Sequence, residues 1–199
     1  AALSADRLGF AFAAGYRAAV SRLVPGLGGE VAALAATEER GAHPRAIQTS
    51  LTRAAGGGFT VSGHKRWVTL ATHVGVLLVV ASAGRDGDRN ALRLVRVGAR
   101  APGVVLRAMP SPPFCPEIGH AEVDLEAVPV GEGDVLPGDG YEAYLKPFRT
   151  IEDEHVLAAA LGHAIGCARR HDLDRALVAR AAAQLAGLDA LAAAPPLDP

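Results

Sequence analysis

The sequence is short of aromatic residues, of cysteine and of any net excess of charge. Aromatics make up 5 % of its 199 residues, with one tryptophan, and the formal net charge is −1. Near-neutrality leaves no electrostatic case for nucleic acid or for an anionic membrane surface. Cys115 and Cys167 lie far apart and lack the spacing of a metal-ligand pair, so neither a metal site nor a disulfide framework is expected. That usage fits a reduced, cytoplasmic protein. The most apolar run, Val74 to Ala83, is too short to span a bilayer and reads as a buried strand. Asp6 and Arg7 interrupt the opening stretch before any long apolar segment, so no signal peptide is expected. Half of the residues are hydrophobic, largely alanine and leucine. That content is enough for a sizeable core in one domain or two small ones.

The hydrophobic period divides the chain into three zones. Leu3, Leu8, Phe12, Tyr16, Ala19, Val20 and Leu23 recur at helical spacing, and Pro25 to Gly29 stops that helix. A shorter apolar run, Val31 to Ala36, follows. In the middle zone Phe59, Val61, Trp67 and Val68 fall in short runs broken by Gly56 to Gly58 and by Gly63, and short strands follow at Val76 to Val80, Leu92 to Val97, Val104 to Leu106 and Ala121 to Leu125. The Val76 run suits a strand covered on both faces, whereas Ala121, Val123 and Leu125 alternate with acids and predict one wet face. Such strands, separated by turns, predict a small antiparallel β-barrel or sandwich. The last zone is helical, with Glu152-Asp153-Glu154 expected at a helix start and Asp172 opening a second helix that Pro195 and Pro196 end. The predicted fold is therefore α+β: a helical segment over 1–36, a β domain over 37–140 and a helical segment over 141–199. Arginines in the β domain are scattered along the sequence and read as solvated faces.

Two blocks carry a more specific signal. Thr37-Glu38-Glu39-Arg40-Gly41-Ala42-His43-Pro44 is followed, after Ile47 and Thr49, by Ser62-Gly63-His64-Lys65-Arg66-Trp67-Val68-Thr69. In residue type and spacing these resemble the T-E-P-G-A-G-S-D and N-G-x-K-x-W-I-T segments of the acyl-CoA dehydrogenases. Ala121 to Val130 is similar to that family's F-x-D-V-x-V-P segment, Val135 to Tyr141 to the loop after it, and Ala158 to Gly166 to the start of the next helix. The resemblance covers roughly Leu8 to Ala168, in a chain too short to hold the whole enzyme.

The resemblance implies α,β-dehydrogenation of an acyl thioester with FAD as hydride acceptor. It places Trp67 beside the flavin ring, the Thr69 hydroxyl near its reactive nitrogen, and the peptide groups around Thr37 at its pyrimidine edge. An acyl-CoA-type ligand and a homo-oligomer, or a complex with a full-length homologue, are the implied partners. No catalytic residue is assigned. The family's catalytic glutamate lies in a far C-terminal region, and no glutamate here follows Glu154. The R-x-x-F-G segment that reaches the cofactor pyrophosphate has no counterpart, and the motif's serine is replaced by His43. The expectation is an FAD-dependent oxidoreductase with little or no turnover alone; the alternative is a scaffold or interaction protein that does not bind FAD. Within the residues themselves, Trp67 equally fits a packed core aromatic, and His43 a solvent-facing loop histidine. The recurrence of His155, His163 and His171 allows a metal cluster but lacks acidic partners.

Overall fold

A computed structural model describes residues 1–113 and 115–193. It divides into two compact units, residues 1–19 with 150–199 and residues 20–149. The expected helix stop at Pro195 and Pro196 lies outside the described residues.

The larger unit holds one seven-stranded sheet. Its strands are β1 (Ala32–Ala35), β2 (Ser50–Arg53), β3 (Phe59–Thr69), β4 (Val76–Asp86), β5 (Arg89–Gly98), β6 (Val104–Ala108) and β7 (His120–Val130). The order is β1-β4-β2-β3-β7-β6, with β5 paired to β4. Most pairings are antiparallel, as the turn-rich sequence implies. The exceptions are β1 with β4 and β2 with β4, which are parallel and make the sheet mixed. Val31 to Ala36 shows why: an apolar run following a helix forms β1, because Gly28 and Gly29, both at positive φ, turn the chain into the sheet.

Val76 to Ala81 are buried without interruption, and β7 buries Ala121, Val123 and Leu125 while Glu122 and Asp124 stay half-exposed. The core joins Leu77, Val79, Val95, Val97, Val61, Val68 and Val123. Each such side chain contributes about 1.5–3 kcal/mol on burial.

The flanking helices are α1 (Leu8–Leu23), α2 (Lys146–Arg170) and α3 (Arg175–Ala193). In the smaller unit α1 and α2 meet closely at Gly15, where a Cβ would lie 2.6 Å from the His155 carbonyl oxygen. Arg170 ties down the N-terminal segment by donating to Leu3 O at 2.9 Å and Ala5 O at 3.0 Å. Two boundaries differ from the sequence reading. The helical run begins at Tyr141, so Glu152 to Glu154 lie inside α2 rather than at its start. Burial, helped by neighbouring Asp153, raises the Glu152 carboxyl above its ordinary value. The last helix starts after Asp174, whose carboxylate accepts from the Ala176 N–H at 2.8 Å, and not at Asp172.

Candidate functional site

The site grows from an irregularity in β3. Lys65 pairs with Val123 and Val68 with Ala121, so β3 carries one extra residue and bulges. The extra residue forces Trp67 to φ 56°, a conformation that costs a bulky side chain about 1–3 kcal/mol. Trp67 is 52 % exposed, so its ring lies outside the core of the described residues. Val68 behind it is buried and Thr69 is half-buried, so tryptophan and threonine share the outer side of the strand. His120, the register partner of Thr69, sets its ring 5.9 Å from that of Trp67, edge to face at 70°. Burial holds the His120 imidazole below its ordinary pKa, against a hydrogen bond with the Ile118 backbone that acts the other way.

Thr37 reaches the same place by backbone pairing: its carbonyl accepts from the Arg66 N–H at 2.8 Å, one residue before Trp67. The chain then closes a tight turn, with Glu38 and Gly41 exchanging backbone hydrogen bonds of 3.1 and 2.9 Å. Beneath it lies a buried ion pair. Lys65 Nζ donates to Glu38 Oε1 at 2.7 Å, to Val80 O at 2.6 Å and to Ala36 O at 3.3 Å. Glu38 also accepts from the N–H groups of Gln48 and Thr49 and from the Thr49 hydroxyl, at 2.7, 3.0 and 2.7 Å. Burial works to raise the Glu38 carboxyl, but the Lys65 charge and these hydrogen bonds outweigh it and hold it below its ordinary value. Burial pulls Lys65 down to about 8 despite its partner. On the surface above, Arg66 bridges Glu39 at 2.6 Å and Glu122 at 3.0 Å.

A feature that escaped the sequence reading lies beyond this loop. A groove of about 760 Å³ runs between the Arg40–Arg53 segment and the β4–β5 hairpin, and its charged lining is Arg40, Arg45, Arg53 and Arg85, with no acidic residue. Arg40, Arg45, Arg53 and Arg85 are all exposed, as expected of solvated positions, and line one groove. Strand pairing gathers residues far apart in sequence, and no periodicity could have signalled it. Arg53 is partly neutralised, stacking over the Phe59 ring at 4.7 Å and pairing with Glu132 at 2.7 Å. His43 is exposed, and its ring accepts from the Arg45 N–H at 3.2 Å.

Residues 33–128 match the family model for the acyl-CoA dehydrogenase middle domain. No curated protein matches the chain. Among solved structures, the prolyl acyl carrier protein oxidase AnaB is similar over 85 % of this chain and 48 % of its own, at 19 % identity and TM-score 0.68. An FAD-dependent dehydrogenase aligns over 82 % of this chain and 47 % of its own, at 15 % identity and TM-score 0.64. Glutaryl-CoA dehydrogenase from Mycobacterium smegmatis, in complex with FADH2, aligns over 70 % and 34 %, at 20 % identity and TM-score 0.55. The chain spans less than half the length of each of these proteins.

Proposed function

Starting from residues 33–128 as an acyl-CoA dehydrogenase middle domain, we propose that the chain serves an FAD-dependent oxidoreductase of acyl thioesters. We further propose that residues 1–199 alone turn over little or no substrate. The observation that carries the reading is Trp67, an aromatic ring held exposed at a strained φ beside Thr69 and Thr37. A ring whose role is packing has no need of that conformation, whereas a flat π-ligand needs an open aromatic face and a nearby hydroxyl. The division 1–36, 37–140 and 141–199 forms part of the proposal, with the site in the central segment.

The roles are those that the family resemblance implies. Trp67, Thr69 and Thr37 would hold the flavin, the tryptophan by its aromatic face, the threonine by its hydroxyl and Thr37 by its peptide groups. Bound FAD supplies the hydride acceptor. Neutral His120 steadies the Trp67 ring without adding charge beside it. The arginine groove receives the phosphates of an acyl-CoA-type ligand, since guanidinium groups grip phosphate by paired hydrogen bonds. The base is outside the assigned residues, so a full-length homologue completes the reaction. The free thiols Cys115 and Cys167 suit a cytoplasmic setting, and no described helix is long and apolar enough to cross a membrane.

A second reading, a scaffold without FAD, draws on exposed Leu173, Leu177 and Leu191 in the smaller unit, apolar area available to a partner. One titration separates the two. Purified protein is mixed with FAD and followed by visible absorption and melting temperature. A perturbed flavin spectrum with a raised Tm supports the flavoprotein, and an unchanged spectrum and Tm support the scaffold.

A further inference from the structure

Asn90, near the start of β5, touches both walls of the arginine groove. Its Nδ2 donates to Pro44 O at 3.0 Å and to Ile47 O at 2.9 Å, and its Oδ1 accepts from Ser82 Oγ at 2.5 Å. Pro44 and Ile47 bracket Arg45 on one wall. Ser82 begins the irregular stretch of β4 that leads to Arg85 on the other, and its hydroxyl also accepts from the Gly84 N–H at 3.3 Å. Of the common side chains, a carboxamide alone offers two N–H donors and a carbonyl acceptor in one plane. Aspartate would set a carboxylate against two carbonyl oxygens, and leucine would leave them unpaired. The β4–β5 pairing does not require these bonds, because the Asn90 backbone already pairs with Arg85.

We propose that Asn90 is a positioning residue that fixes the spacing between the Arg45 and Arg85 walls, and so favours anions with two linked phosphoryl groups over a single phosphate. A single phosphate is satisfied by either wall, whereas a linked pair gains from both only when their separation is held. The inference rests on the groove's role as the phosphate end of the ligand site and adds to it the residue that sets selectivity.

The test compares Asn90→Ala with the wild type in calorimetric titrations with inorganic pyrophosphate and inorganic phosphate, alongside amide hydrogen exchange at Ala46 and Gly84. The wild type is expected to prefer pyrophosphate. In Asn90→Ala, pyrophosphate affinity falls about tenfold, the size of one or two lost hydrogen bonds, while phosphate affinity holds and both amides exchange faster. Equal losses for both anions, or an unchanged preference, overturn the selectivity role. Wild-type protein that binds neither anion removes the groove reading and the selectivity with it. Unaltered exchange with anion binding intact removes the positioning role alone.

Discussion

Lys65 Nζ and Glu38 Oε1 stand 2.7 Å apart in a part of the core where the lysine side chain has no exposure and the glutamate 8 %. The pair is the fulcrum of the Glu38–Thr49 loop, because the glutamate spends its remaining capacity on Gln48 and Thr49. Removing one partner strands the other without a counter-charge, which typically costs about 3–5 kcal/mol. Lys65→Met and Glu38→Leu should each lower stability by that order in urea denaturation. The double variant should recover most of the loss, since an apolar pair of similar volume is often no less stable than the ions it replaces. If the singles and the double lose in simple addition, the two side chains do not act as a unit.

Glu38 also sets an acid limb. Its carboxyl in the fold lies below the ordinary 4.5, so the unfolded chain binds its proton first as pH drops. The stability from this group is therefore complete above about 4.5 and lost as pH falls through the folded value. Denaturation midpoints between pH 6 and pH 3 should fall more steeply for the wild type than for Glu38→Gln, which carries no titrating group there. Parallel curves would show that the carboxylate is not linked to folding.

Much of this fold was legible in advance, and the limit of legibility is physical. The buried Val76–Ala81 strand and the alternating β7 were readable because burial on two faces or one writes a local pattern. Thr37, Trp67 and Thr69 were named from the family resemblance, and the Thr37–Arg66 backbone bond brings the first beside the others. The Lys65–Glu38 pair and the arginine groove were not legible. Both join residues brought together by pairing of β2, β3 and β4, and a charged residue aimed into a core breaks the binary pattern that makes cores readable. The parallel β1–β4 pairing was hidden for the same reason: register between distant strands leaves no local trace.

Trp67 gives a prediction in which stability and function part company. Glycine accepts a φ of 56° without penalty, and an exposed ring loses little packing when removed. Trp67→Gly should therefore leave stability within about 1 kcal/mol of wild type, or raise it. The same change removes the aromatic face and should weaken FAD about tenfold or more by fluorescence titration. A marked fall in Tm would instead mean that the ring supports the fold, and the flavin reading would lose its main observation.

Gly63 offers the reverse case, a small residue demanded by packing. A Cβ there would come within 2.5 Å of Thr49 Oγ1 and 2.6 Å of Thr49 Cα. The second contact is with backbone, so no side-chain rotation relieves it. Thr49 cannot simply retreat, because its N–H and hydroxyl both donate to Glu38. Gly63→Ala must then either bend β3 where it faces the β7 bulge or push Thr49 off the carboxylate, exposing the Glu38–Lys65 pair to loss of partners. Overpacking of this kind costs about 1–3 kcal/mol, and loosening the ion pair adds to it. Gly63→Ala is expected to lose about 3 kcal/mol or more by urea denaturation and to accelerate exchange at the Thr49 amide. In the Lys65→Met/Glu38→Leu background Thr49 has no carboxylate to hold it. The same substitution should cost less there, and a cost equal in both backgrounds would place the whole penalty in the β3 backbone.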